Sequence, residues 1–198
     1  MKLYYSPGAC SLTDHIVLEW IGQPYEAIAV TREERKSPDY LAINPAGAVP
    51  ALVDDDGWVL TQNAAILHYL SAKHPEARLF GDGSPRGAAE VDRWLAFVNA
   101  DVHPSFWPFF GGLAWLDDKA MQDKGKAAAA TKLRGLFERA DKRLQDRDFI
   151  AGERSAADAY LFVVTRWAKA VGVDLAGLDA LERHHQRMLA DEGVRRAL

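Results

Sequence analysis

The sequence holds a single cysteine, Cys10. One thiol excludes an intrachain disulfide and any cysteine-rich zinc site, and it suits a reducing compartment. No window approaches the roughly 18 consecutive apolar residues of a membrane-spanning helix. The opening stretch from Met1 is broken by Pro7 and Gly8, so it does not build the apolar core of a secretory signal. Basic tracts with interleaved aromatics are also missing. With a formal net charge of −4, this leaves no positive patch of the kind that binding a nucleic-acid backbone requires. His15, His68, His74, His184 and His185 stand at no metal-ligand spacing with acidic residues and are read as surface or packing residues. The expectation is a cytoplasmic protein without a nucleic-acid, membrane or metal partner.

What is present is ordinary globular composition, 48% hydrophobic and 26% charged over 198 residues, enough for one large domain or two small ones with real cores. The first third alternates strand and helix signals. Leu3-Tyr4-Tyr5 reads as a strand ended by Pro7-Gly8. Ser11-Leu12-Thr13-Asp14 fits a capping box opening a helix with Leu12, Ile16 and Trp20 on one face, stopped by Gly22 and Pro24. Tyr25 to Val30 reads as a second strand. Ser37-Pro38 starts a short helix that Asn44-Pro45 closes. Ala51-Leu52-Val53, an Asp-rich turn ending at Gly57, and Trp58-Val59-Leu60 read as a hairpin. Asn63 is expected to cap a helix running to about His74. Strand–helix–strand units imply parallel pairing and the hairpin adds an antiparallel edge, giving a thioredoxin-like α/β domain with a four-stranded mixed sheet over residues 1–77. Residues 78–85 read as a linker. Residues 86–198 carry only helical signals: a helix over about Arg86 to Val102, another with Leu133, Phe137, Ala140 and Leu144 at helical spacing, a third opened by the capping box Ser155-Ala156-Ala157-Asp158, and a last one over Leu178 to Ala190.

Four places carry candidate chemistry. Cys10 sits between the first strand and the first helix, where free N–H groups and the helix dipole favour a thiolate, unless it is a small buried apolar residue. Val49-Pro50 stands directly before a strand, either as an edge-strand proline or as a cis bend whose preceding backbone is open to a peptide-like ligand. Gln62-Asn63 lies at a helix start, either capping it or presenting donors to a carboxylate. His103 borders Phe106, Trp107, Phe109 and Phe110; it either polarises a substrate or thiol or is a packed histidine, and the aromatics are either core or pocket.

These segments, in this order, resemble the glutathione transferases, most closely the bacterial beta class. The resemblance rests on Lys2 to Leu12, on Asn44-Pro45-Ala46-Gly47-Ala48-Val49-Pro50-Ala51-Leu52, on Leu60-Thr61-Gln62-Asn63-Ala64-Ala65-Ile66, and on Ile150-Ala151-Gly152 through Phe162. It implies a cytoplasmic homodimer that uses glutathione as cosubstrate. Glutathione is transferred to a small hydrophobic electrophile, or used to reduce mixed disulfides or peroxides. The alternatives are a glutathione-dependent thiol transferase with little conjugating activity and a non-catalytic member that binds partners. The resemblance gives Cys10 a place beside the glutathione sulfur, with Tyr5 and Ser11 as further hydroxyl donors and His103 as the class histidine. Val49 and Pro50 then serve the cysteinyl part, Gln62 and Asn63 the γ-glutamyl end, and Arg35 or Lys36 the glycyl carboxylate. Asp101 would help hold the ligand's amino group across a dimer interface, and Phe106, Trp107 and Phe110 the electrophile. Gln62 stands where many beta-class members have an acidic residue.

Overall fold

Alternation along Lys2–Tyr5 (β1) turns Leu3 fully inward and leaves Lys2 exposed. β1 runs parallel to Glu26–Ala29 (β2), with Lys2 opposite Glu26, and antiparallel to Ala51–Val53 (β3). β3 pairs antiparallel with Val59–Thr61 (β4), giving the order β2-β1-β3-β4. This is the mixed thioredoxin-like sheet that the sequence pattern implies. The computed structural model describes all 198 residues. Two compact units emerge from its contacts, Met1–Ala88 with Leu189–Leu198, and Ala89–Met188.

In the first unit the parallel step from β1 to β2 needs a crossover, and Leu12–Ile21 (α1) supplies it. α1 buries Leu12, Ile16, Val17 and Leu18. It ends where Gly22 turns left-handed at φ 73° and its N–H reaches the Leu18 carbonyl at 3.0 Å. Pro38–Ile43 (α2) starts with proline in its first turn, and the Ser37 hydroxyl accepts the Tyr40 N–H at 3.2 Å. Asn63–Lys73 (α3) buries Ile66, Leu67 and Leu70.

Two helix starts differ from expectation. Ser11 does not cap α1: it already has helical backbone angles, and its buried hydroxyl turns back to accept the Ser6 N–H at 3.2 Å. Asp14, the other half of the expected box, is fully buried with neither carboxylate oxygen hydrogen-bonded. Asn63 does not cap α3 either. Gln62 holds the cap position, and Asn63 is the first helical residue, with its amide buried.

The second unit is helical throughout. Pro85–Ala96 (α4) widens into π geometry over Phe97–Val102 and then tightens to a 3-10 helix over His103–Phe110. Pro104 and Pro108 lack the N–H an α-ladder needs, so α4 cannot simply continue. Lys119–Leu144 (α5) is capped by the Asp118 carboxylate, which accepts the Ala120 and Met121 N–H groups, and it buries Leu133, Phe137, Ala140 and Leu144 as their spacing predicts. Ala156–Ala170 (α6) is buried at every residue from Ala156 to Thr165. Each fully buried Leu, Val or Phe there contributes about 1.5–3 kcal/mol. Its expected capping box is present: the Asp158 carboxylate accepts the Ser155 N–H at 2.9 Å and the Ser155 hydroxyl at 2.8 Å. The same carboxylate takes the Ile150 N–H at 2.7 Å and meets buried His184 of Asp179–Ala190 (α7) at 3.1 Å.

The last helix, Glu192–Ala197 (α8), groups with the first unit. Asp191 caps it by accepting the Val194 N–H at 3.0 Å and also accepts the Trp20 indole N–H from α1 at 2.8 Å. A β-carbon on Gly193 would stand 2.6 Å from the Trp20 ring, so only glycine lets the two helices approach this closely. Arg196 completes the seam by donating to Glu19 at 2.5 Å. No helix of the chain is long and apolar enough to cross a membrane.

Candidate functional site

After β1, Gly8 turns at φ 76° and successive bonds from Ala9 N–H to the Ser6 carbonyl and from Thr13 N–H to the Cys10 carbonyl lead the chain into α1. Cys10 therefore lies at the amino end of α1, with its own N–H and that of Ser11 directed at its sulfur. Its Sγ donates to the Val49 carbonyl at 3.5 Å, and the Asn63 side-chain amide donates to the Cys10 carbonyl at 3.3 Å. Three segments distant in sequence meet at this edge of the sheet. Arg35 lies close enough for its charge to act on both the Cys10 thiol and the Tyr40 hydroxyl.

Opposing electrostatic effects act on the partly buried Cys10. Burial pushes its thiol up to about 12, with the Asp14 carboxyl adding to the rise and the local N–H groups and Arg35 opposing it. That shift favours the neutral thiol over the thiolate that the helix-start position favours. Desolvation outweighs the helix end. Burial also holds Asp14 well above the usual carboxylate range.

The Val49–Pro50 peptide is cis. β3 begins at Ala51, so the missing Pro50 N–H costs no ladder bond. Val49 is buried with Val30 and Tyr40, and Tyr4 and Ala9 pack against them. Its carbonyl receives the Cys10 thiol, while its N–H takes no acceptor within the chain. Gln62 is exposed and adopts φ 76°, ψ 118°, a left-handed φ that costs a non-glycine residue about 1–3 kcal/mol. That strain turns the first N–H groups of α3 out of the β4 strand path, at a helix end where no intrahelical acceptor exists for them. Asn63 is buried, with its side-chain oxygen unpartnered. Arg35 is partly buried with its Nε lacking a partner, whereas Lys36 is exposed.

Three expected site residues are placed away from the Cys10–Val49–Asn63 contacts. The Ser11 hydroxyl is buried and bonded to the Ser6 backbone, which leaves only the Ser11 N–H for a ligand. The Tyr5 ring lies 5.1 Å from that of buried His15 on α1 and has no contact with Cys10. By strand alternation Tyr4 points to the other face, where it packs against Val30, Tyr40 and Val49 with its ring 5.9 Å from Tyr40. Sequence alone does not set that parity, because both neighbours are tyrosine. Phe106, expected in a pocket, is fully buried in the second unit, stacked on Phe110 at 5.8 Å and edge-on to Trp167 at 5.5 Å.

In the second unit Trp107 and Phe110 keep 54% and 52% of their surface exposed, and so remain open to a ligand. His103 is half-buried. Its Nδ1 hydrogen-bonds the Tyr160 hydroxyl and its ring meets Trp167 edge-on at 4.8 Å. Burial lowers its pKa, so it is neutral near pH 7. Asp101 is exposed, and its backbone carbonyl accepts the Ser105 hydroxyl. No group of three or more His, Cys, Asp or Glu side chains is arranged to hold a metal ion.

A thioredoxin-like sheet with a thiol at the start of α1 facing a cis-proline loop, followed by an all-helical unit, defines a class of two-part thiol-ligand proteins. The comparisons narrow it. Residues 10–78 match the family described as Glutathione S-transferase, N-terminal domain, and residues 94–192 match Glutathione S-transferase, C-terminal domain. The chain is 55% identical to the glutathione S-transferase GST-4.5 of Xanthomonas campestris pv. campestris, over 100% of this chain and 97% of that one. Among solved structures it is similar to a glutathione S-transferase from Xylella fastidiosa, with 52% identity, a TM-score of 0.95, and 100% and 96% of the two chains covered. It is likewise similar to a sphingomonad glutathione S-transferase complexed with glutathione, with 38% identity, a TM-score of 0.88, and 100% and 97% covered. The chain belongs to the glutathione S-transferase family.

Proposed function

We infer that this chain is a glutathione transferase that binds glutathione along the Cys10–Val49–Asn63 edge of its first unit and conjugates it to hydrophobic electrophiles. The convergence of the Cys10 thiol, the Val49 backbone and the α3 start on one edge is the observation that carries this reading. The unpaired Val49 N–H suits the peptide-like cysteinyl part. The turned-out N–H groups after Gln62, with the dipole of α3, suit the γ-glutamyl carboxylate. Arg35, with its unpartnered Nε, suits the glycyl carboxylate. Lys36 is exposed at the same turn and is a second cation for it.

The glutathione sulfur then lies at the α1 start. There the Cys10 and Ser11 N–H groups, and the Cys10 S–H once it swings off the Val49 carbonyl, donate to the anion, lowering the ligand's own pKa. The proton leaves to solvent, the sulfur pair forms a bond to the electrophilic carbon, and the leaving group departs with its bonding electrons. Trp107 and Phe110 are assigned to the apolar part of the electrophile, and neutral His103 to a polarising role. Because Cys10 is held as a thiol, conjugation is favoured over thiol transfer, which needs Cys10 itself as nucleophile. A homodimer in which exposed Asp101 serves the ligand of the partner subunit, cytoplasmic residence and a detoxifying or redox role belong to the same proposal.

The test compares an aryl halide with a glutathione mixed disulfide, in wild type and in Cys10→Ala. The expected result is saturable glutathione binding, aryl-halide conjugation, and a loss in Cys10→Ala of about tenfold or less, the scale of one weak hydrogen bond to an anion. Absence of binding at millimolar glutathione refutes the reading. Turnover of the mixed disulfide alone, abolished in Cys10→Ala, replaces it with thiol transfer.

A further inference from the structure

The Ala48 carbonyl is an unusual acceptor for a loop position. It receives the Tyr40 hydroxyl at 2.6 Å and the Asn44 side-chain amide at 2.7 Å. Tyr40 belongs to α2 and Asn44 is the extended residue that ends it, and both are 4% exposed. Asn44 ties the loop at two further points: its side-chain oxygen accepts the Ala46 N–H at 3.1 Å and its carbonyl accepts the Gly47 N–H at 2.9 Å. Gly47 permits the close turn, since a β-carbon there would stand 3.1 Å from the Arg35 carbonyl. The Tyr40 ring meanwhile packs against Val49 and Tyr4.

The Ala48 carbonyl and the Val49 N–H belong to one planar peptide group. In a trans peptide the two dipoles point in opposite directions. Two donors drawn from α2 and the residue that ends it onto the carbonyl therefore turn the Val49 N–H away from them, and they polarise the peptide so that this N–H becomes a stronger donor. We propose that Tyr40 and Asn44 are positioning residues that aim and strengthen the Val49 N–H for the backbone carbonyl of a bound γ-glutamyl-cysteinyl ligand. The proposal rests on the glutathione-binding reading above. It adds that α2 and its terminal Asn44, which touch no reacting atom, set affinity for the peptide part of the ligand.

The experiment uses the full chain and reads two quantities. Amide NMR of the free protein follows the Val49 N–H, and titration with glutathione gives Kd alongside KM and kcat. Tyr40→Phe, which removes one donor and keeps the ring, is expected to shift the Val49 amide proton upfield. It should raise Kd and KM for glutathione about 2- to 10-fold, the scale of one neutral hydrogen bond, with kcat unchanged. Glutathione carrying a thiocarbonyl in place of its cysteinyl carbonyl, a poorer acceptor, should bind more weakly to wild type, and the Tyr40→Phe penalty should shrink with it. Should Tyr40→Phe not fold, Asn44→Asp, which replaces the amide donor by an acceptor, carries the same test. If wild type binds glutathione and the folded variant binds equally tightly with an unmoved Val49 amide, the positioning role is wrong. A variant penalty that is the same for both ligands also overturns it. If wild type itself does not bind glutathione, the function reading fails first, and the amide shift alone then decides whether the clamp acts on the peptide.

Discussion

Removing the Asp158 carboxylate should unfold more of this protein than its single position suggests. In Asp158→Ala four donors lose their acceptor together: the Ile150 N–H, the Ser155 N–H, the Ser155 hydroxyl and His184 Nε2. Asp158 and His184 are 0% and 1% exposed, so water does not replace the lost bonds without local opening. Each buried donor left unpaired costs about 1–3 kcal/mol, and loss of a helix cap alone about 0.5–2. These costs overlap, because one rearrangement can relieve several donors. A net loss of at least about 3 kcal/mol is expected, against a total stability of about 5–15 kcal/mol. For a chain of this length, that corresponds to a fall in melting temperature of roughly 6–12 °C. Urea unfolding followed by circular dichroism measures it. Ser155→Ala, which removes only one of the four donors, should cost about 1 kcal/mol. An Asp158→Ala loss below about 1 kcal/mol, or one no larger than that of Ser155→Ala, would falsify the view that this carboxylate ties α6, α7 and the preceding loop together.

Three further outcomes follow from burial and close contact. Asp14 keeps its proton when folded but releases it above about pH 4 when unfolded, so wild-type stability is eroded as pH rises through that window toward the raised native pKa. Asp14→Asn removes this slope, and its advantage over wild type in urea midpoint should grow between pH 4 and neutrality; a pH-independent difference contradicts the burial argument. His185, stacked on Phe162 at 5.1 Å, has its pKa lowered to about 4, chiefly by burial. The unfolded chain takes up that proton first as pH falls from about 6.5 toward 4, so stability is lost across that range and His185→Phe should flatten the loss. Gly193→Ala places a β-carbon 2.6 Å from the Trp20 ring and should cost about 1–3 kcal/mol by prying α8 off α1; Trp20 fluorescence and thermal melting would reveal a neutral substitution if that seam is looser than described.

Features decided by local pattern were legible in the sequence. The strand ended by Pro7-Gly8, the Asp-rich hairpin turn, Ser37 and Pro38 at the start of α2, and the α6 capping box each depend on residues within a few positions of one another. The failures trace to parity, strain and long-range contact. Ser11 and Asp14 have the spacing of a capping box, but the turn from Ser6 to Cys10 makes Ser11 helical already, so its hydroxyl points backward. Asn63 has a capping residue's chemistry, yet Gln62 adopts the strained φ that takes the cap position one residue earlier. For Tyr5 and Phe106, residue type does not say which side of β1 or of the 103–110 helix faces inward. The docking of α8 on α1 joins Trp20 to Asp191 across 171 positions, and no local pattern signals it. The thiol of Cys10 depended on a balance between helix end and burial that only the surrounding atoms settle.

Ionisation of bound glutathione tests the central claim most directly. Titration with glutathione at neutral pH, followed by ultraviolet difference absorbance, should give a saturable thiolate band. Cys10 contributes no background, since its own pKa lies near 12. In Cys10→Ala the band should persist with a modestly raised apparent pKa, because the backbone donors of Cys10 and Ser11 remain. Saturable binding without any thiolate band, or no saturable change up to millimolar glutathione, would contradict the assignment of the α1 start as the place where the glutathione sulfur is held as an anion.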